Sequence, residues 1–171
     1  MRNACVTRKA QGLVERAVRI RAAHPGDKDF ILGLAPRLVE FGEVSDRERS
    51  QMIARDRSVL LEALEQRSGN GGVFVAEDGE GRTLGFIHLT TADDYYSETT
   101  TAHIADIAVT SSEGGRGVGT ALMNFAEQWA RQRGFAMLTL NVFGANRRAR
   151  ALYSTLGFTE EWIRCIKWLR S

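Results

Sequence analysis

Hydrophobic and polar positions switch between two periods along this chain, and the switches outline its elements. Val18-Arg19-Ile20-Arg21 alternates with period two, which predicts a short first strand. His24-Pro25-Gly26-Asp27 interrupts it, and Asp27 stands where the N-cap of a helix reaching about Val39 is expected. Ser45-Asp46-Arg47-Glu48 has capping-box spacing. The helix it opens carries Met52, Ile53, Val59, Leu60, Leu61 and Leu64, and ends before Ser68-Gly69-Asn70-Gly71-Gly72. Residues 73–77 and 83–91 read as two strands joined through the turn Asp78-Gly79-Glu80-Gly81.

Residues 92–98 read as an acidic-aromatic loop, and residues 101–110, rich in β-branched and small side chains, as a buried strand. Residues 111–119 form a Gly-rich turn into a helix that extends to about Arg133. Its apolar face carries Leu122, Met123, Phe125, Ala126 and Trp129. A strand over 136–143, a short helix over 145–156 and one or two strands within 158–169 complete the order. Residues 1–16 are polar and basic without a periodic pattern, so they read as a flexible tail before a domain at 17–171.

Composition adds little beyond exclusions. A chain of 171 residues, 43% hydrophobic and 26% charged, is ordinary for one globular domain. A net charge of +2 does not call for a nucleic-acid partner, and Arg147, Arg148 and Arg150 can serve solvent or a ligand's phosphates as well as DNA. Cys5 and Cys165 provide neither a disulfide framework nor the paired cysteines of a zinc site, which fits a reducing cytoplasm. The segment from Met1 to Ala17 lacks a signal-peptide apolar core, and no run approaches the roughly 20 apolar residues of a membrane span.

The sharpest chemistry lies at Ser112-Glu-Gly-Gly-Arg-Gly-Val-Gly-Thr120, between a strand and a helix. The first N–H groups of a helix lack intrahelical partners, and the dipole adds about half a positive charge there. Glycines let the backbone turn sharply and let an anion approach, so this unit predicts a phosphate cradle. Arg116 can add a charge-assisted contact. It is not a P-loop, which ends in Gly-Lys-Ser/Thr. Nor is it a dinucleotide fingerprint, because position 120 is Thr and the acidic residue expected after the next strand is Asn141.

A second motif follows: Asn141-Val-Phe-Gly-Ala-Asn-Arg-Arg-Ala-Arg-Ala-Leu-Tyr-Ser-Thr-Leu-Gly-Phe158. On a helix, Asn146, Ala149 or Arg150, and Tyr153 share one face, with Leu152 and Leu156 on the adjacent stripe. The two segments together resemble the GNAT superfamily of N-acetyltransferases, whose turn is written Q/R-x-x-G-x-G/A and whose second motif is Asn…Ala…Leu-Tyr…Leu-Gly-Phe. Gly117 and Gly119 match the turn, but Gly114 stands where the family has Gln or Arg. Arg116 is the residue expected to supply the missing charge.

The resemblance implies an α/β fold: a central mixed, mostly antiparallel sheet flanked by helices on both faces. It implies transfer of the acetyl group of acetyl-CoA to a primary amine of a small molecule or protein. The diphosphate would lie on Gly114, Gly115, Arg116, Gly117, Val118, Gly119 and Thr120. The pantetheine arm and oxyanion would lie on backbone groups of Ile107, Ala108 and Val109, with Asn146 on the same arm and Tyr153 as general acid.

The base stays open between Asp106 acting through a water, His103, and a water chain alone. By strict alternation Asp106 shares a face with Ile104 and Ala108, opposite His103. Glu40 and Glu43 can line an amine cleft, and Asp93, Asp94, Tyr95, Tyr96 and Glu98 can draw in a cation. Members of the family often dimerise, and residues 162–168 offer a homodimer contact. The remaining alternatives are another acyl-CoA transferase on this fold and a non-catalytic acetyl-CoA sensor.

Overall fold

The computed structural model describes residues 18–41, 47–65 and 71–169. Its period-two segments pair into one five-stranded sheet, β1 (Arg19–Ala22), β2 (Gly72–Glu77), β3 (Thr83–Asp93), β4 (Thr100–Val109) and β5 (Leu138–Leu140), ordered as numbered. The first four strands are antiparallel neighbours, and β5 joins β4 in parallel. The helices are α1 (Lys28–Leu38), α2 (Arg49–Glu65), α3 (Val118–Gln132) and α4 (Arg147–Thr155). A parallel pair needs a crossover, and α3 is that crossover.

Each face of the sheet is covered. Leu122, Met123, Ala126 and Trp129 of α3, with Tyr153 of α4, pack on Ile87, Leu89, Ala102 and Ile104. On the other face Ile31, Leu34 and Ala35 of α1 and Leu60 of α2 pack on Val73, Val75, Phe86 and Ala108. Each fully buried large side chain contributes about 1.5–3 kcal/mol. The mixed, mostly antiparallel sheet with helices on both faces is the architecture expected above. No helix among the described residues is long and apolar enough to cross a membrane.

One local irregularity shapes β4. Leu89 pairs with Ile104 but His88 pairs with Asp106, so Ala105 is an extra residue opposite the β3 step. Backbone hydrogen bonds show the result: Ala102 N–H donates to Met137 O on the β5 side, whereas Thr110 N–H donates to Leu84 O on the β3 side. In an unbroken strand residues eight apart point the same way; the bulge reverses them. Side chains are reversed as well. Ile104 packs with the α3 layer, while Ala108 packs with the α1–α2 layer. Asp106 therefore does not share a face with Ile104, as strict alternation predicts, but lies on the α1–α2 face beside His88.

Four boundaries differ from expectation. Asp27 makes no side-chain cap to α1; His24 caps a short 3-10 turn, Pro25–Asp27, and Asp27 closes its capping box instead. β3 runs on to Asp93, taking up the start of the expected loop. β5 is shorter than the 136–143 pattern because β4 leaves it at the bulge. Residues 158–169 form no strand. From Thr159 onward they are exposed, so their apolar side chains face no layer. Tyr96–Trp162 stacking, an Arg150–Glu160 ion pair and Arg47 over Trp168 hold this segment to the domain. The expected tail at 1–16 and the Ser45 and Asp46 part of the capping box lie outside the described residues.

Asp27 gains another role. Its carboxylate accepts from Arg21 Nη1 at 2.6 Å and Nη2 at 2.9 Å, and from His24 N–H at 2.8 Å, while Arg21 Nε also donates to Glu77 at 2.7 Å. This clamp ties β1, β2 and the entrance to α1. Arg21's hydrogen bonds, first among the causes, hold the Asp27 carboxyl below its ordinary range. Its contribution is complete above the unfolded-chain value of about 3.9 and is lost as pH falls through the lower folded value. We expect Asp27→Asn to cost about 1.5–3 kcal/mol in urea unfolding at pH 7. The deficit should shrink below about pH 4, and a deficit independent of pH would count against the clamp.

Candidate active site

Beyond Val109 the chain makes a 3-10 turn, Ser111–Glu113, and winds through Gly114, Gly115, Arg116 and Gly117 into α3. Gly115 has φ 86° and Gly117 φ 84°, left-handed values that favour glycine. Gly117 is the N-cap, so no side chain caps the helix, and the first helical bond runs from Ala121 N–H to Gly117 O at 2.9 Å. The N–H groups of Val118, Gly119 and Thr120 are thus without intrahelical partners. A Cβ built at Gly117 would meet nothing within 4 Å, so the space before these donors is open. Unpaired helix-start N–H groups of this kind are the backbone feature that suits an anion.

The bulge leaves an unpaired strand edge nearby. β5 pairs only with Ala102, His103 and Ile104. After Ala105 the β5-facing positions of β4 are Ile107 and Val109, which meet no strand, while Ala108 is turned toward Phe86 on β3. Of the three expected backbone contacts, Ile107 and Val109 present N–H and C=O to the gap; Ala108 does not.

Tyr153 lies on α4, in the buried layer against which Ile107 and Val109 also pack. Its ring packs in the core and lies 5.9 Å from the Phe158 ring. Its hydroxyl has no hydrogen-bond partner among the described residues, yet is not sealed from solvent. Burial raises its pKa, which keeps the phenol protonated. Packing and functional readings of this side chain are therefore compatible. Asn146 caps α4: its Oδ1 accepts from Ala149 N–H at 3.1 Å, leaving the amide nitrogen for another partner. Arg150 is committed to structure, donating to Glu160 at 2.6 and 2.9 Å and to Gly144 O at 3.0 Å.

On the opposite face, α2 and the β3–β4 hairpin assemble a polar cluster inside an apolar layer. His88 Nδ1 donates to Asp106 Oδ2 at 2.9 Å, and both side chains are largely buried. His103 bonds Thr139 Oγ1 through Nδ1 at 2.8 Å, and burial lowers its pKa against the pull of Asp106. Burial first, and then the Asp106 charge, push Asp56 on α2 up to about 6. His88 also lines a cleft with Val59, Glu62, Ala63 and Thr90. Neither His88 nor Asp56 stands out in the sequence reading. A lone His within Gly85-Phe-Ile-His-Leu89 was a visible signal, but its partner depends on the bulge register.

The remaining acidic candidates are less concentrated. Asp94 accepts from Ser97 N–H and Oγ at 2.7 Å each, closing the turn after β3. Asp93 accepts from Thr100 at 3.3 Å, and Glu40 faces Arg37 at 3.7 Å. Tyr95 and Tyr96 are 80% and 71% exposed, but they pack edge to face on each other and Tyr96 stacks on Trp162. Glu43 lies outside the described residues.

A strand, a glycine turn and a helix start beside a split parallel pair define the class: a mixed α/β fold with an opened sheet edge. The chain matches the acetyltransferase (GNAT) family over residues 38–158 and belongs to that family. It is 31% identical over 147 residues to a mycothiol acetyltransferase of Saccharomonospora viridis, covering 82% of this chain and 45% of that protein. It is 27% identical to a streptothricin acetyltransferase of Streptomyces lavendulae, covering 81% of this chain and 79% of the other. Against the mycothiol acetyltransferases the chain spans less than half of their length.

The fold resembles a putative acetyl transferase from Pyrococcus furiosus, with TM-score 0.72 and 23% identity over 90% of this chain and 100% of that one. It also resembles an aminoglycoside N-acetyltransferase in complex with CoA, with TM-score 0.65 and 21% identity over 95% and 98%.

The cluster has a pH signature. With Asp56 raised to about 6, the folded chain holds its proton over a window where the unfolded chain has released it. Stability therefore falls as pH rises from about 4 to about 6. Asp56→Asn should remove that fall, flattening the melting temperature across the window relative to wild type. Parallel melting curves for the two proteins at every pH would show that Asp56 is not raised.

Proposed function

We propose that this protein is an N-acetyltransferase that moves the acetyl group of acetyl-CoA onto a primary amine by direct attack. The observation that carries the reading is the opened β4 edge beside the α3 cradle, with a protonated phenol next to it and a carboxylate on the other face. Acetyl-CoA supplies an activated acyl carbon and a thiolate leaving group.

The chain's residues divide the remaining work. N–H groups of Val118, Gly119 and Thr120, with the turn from Gly114 through Gly117, receive the diphosphate. Ile107 and Val109 hold the pantetheine arm and donate to the acyl oxygen, where negative charge develops as the amine attacks. Asn146 contributes its amide nitrogen to the same arm. Tyr153 donates its proton to the departing sulfur, and burial keeps that proton in place. Asp106, held by His88, takes the ammonium proton through a water. A new C–N bond replaces the C–S bond, the second proton lost by the nitrogen returns to the Tyr153 oxygen, and the N-acetylated amine and the free CoA thiol leave.

His103 is the weaker base, since burial lowers its pKa and Thr139 occupies one ring nitrogen. A small-molecule amine is favoured as acceptor, because relatives are named for mycothiol, streptothricin and aminoglycosides. The free, exposed Cys165 is compatible with a reducing cytoplasm.

An amine panel with acetyl-CoA and thiol detection tests the reaction, and a parallel panel of acyl-CoAs tests acetyl preference. Thiol release with no amine accepted by mass would reject amine transfer. Tyr153→Phe should lower kcat about 10²- to 10⁴-fold with CoA affinity unchanged; a loss confined to affinity would remove Tyr153 from proton transfer. Asp106→Asn should move the rising limb of the pH–rate profile to higher pH, toward the amine's own value. An unmoved limb would exclude Asp106 as the base.

A further inference from the structure

Position 114 breaks the family's turn motif, and the structure shows what occupies that place. Gly114 has φ −60° and ψ 122°, ordinary values for any L-residue, so its backbone does not demand glycine. A Cβ there would instead meet the Arg148 guanidinium, with Nη2 at 3.2 Å and Nη1 at 3.3 Å; at Gly115 it would meet Nη2 at 3.5 Å. Arg148 lies on the first turn of α4, and Leu152, four residues on, is 3.6 Å from a Cβ built at Gly119. One face of α4 thus packs on the start of α3, and Arg148 reaches from it over the cradle.

Two other cations nearby are otherwise engaged. Arg116 is turned to Glu113 at 3.4 Å and is 64% exposed, and Arg150 is bound to Glu160. Arg148 makes no hydrogen bond or ion pair among the described residues. A guanidinium beside unpaired backbone N–H groups, without an anion of its own, is suited to a phosphate.

We propose that Arg148 supplies, from α4, the diphosphate contact that the family motif takes from the side chain at position 114. Gly114 leaves the space through which the guanidinium arrives. The assignment rests on the acetyl-CoA reading above, and it replaces Arg116 as the source of that charge.

Calorimetry with CoA and with 3′-dephospho-CoA tests it on wild type, Arg148→Ala, Arg116→Ala and the double variant Arg148→Ala/Gly114→Arg. Arg148→Ala should weaken both ligands about 10- to 100-fold, the range for a hydrogen bond to a charged group. It should also lower the salt dependence of binding. The double variant should recover most of the affinity, since position 114 accepts an L-residue and the guanidinium returns by the family's route. Arg116→Ala should change affinity much less. Equal affinity in wild type and Arg148→Ala would overturn the proposal while leaving CoA binding intact. A loss for CoA but not for 3′-dephospho-CoA would overturn it too, moving the contact to the 3′-phosphate. Failure of wild type to bind either ligand would instead reject the acetyl-CoA reading, and this assignment with it. Matched melting temperatures separate lost contact from lost fold.

Discussion

One surplus residue in β4 governs the site. Ala105 has no partner on β3, and the chain must rotate to absorb it. Three consequences follow from that rotation. β4 and β5 part after Ile104; Ile107 and Val109 turn their backbone groups into the resulting gap; and Asp106 swings onto the α1–α2 face, where His88 receives it. Unpaired amides in a sheet are costly unless something completes them, so the gap has meaning only with a partner in it. Under the proposed reaction, that partner is an amide-bearing arm that extends the interrupted ladder.

The elements around this point were largely legible in the sequence because their signals are local. Alternation indicated β1, the hairpin turn β2 and β3, and β-branched composition β4; the α3 stripe of Leu122, Met123, Ala126 and Trp129 marked its buried face, and the two motifs carried the resemblance. Tyr153 and the glycine turn were found the same way. What sequence reasoning missed is register. Alternation alone placed Asp106 with Ile104 and could not pair it with His88, since an unpaired residue leaves no compositional mark at Ala105. The end segment failed for a related reason: apolar and aromatic content in 158–169 suggests strand capacity, but the segment pairs with no strand.

Charge is also distributed by role. Arg21 and Asp27 are consumed in the clamp at the sheet's edge, and Arg150 with Glu160 fastens the end segment to α4. Arg148, without an ion pair among the described residues, lies over Gly114 and Gly115. A sequence-level cluster of Arg147, Arg148 and Arg150 therefore separates into distinct duties once the helix is built.

The two-layer arrangement carries an evolutionary corollary. Under the proposed reaction, the donor-side groups, from the glycine turn to Tyr153, belong to the α3–α4 layer, whereas Asp56, His88 and Asp106 belong to the α1–α2 layer. The sheet separates the two sets except at the gap after Ile104. Drift in the α1–α2 layer can thus retune which nucleophile is admitted while the coenzyme grip stays constant, so diversification of acceptors needs no reinvention of the donor machinery.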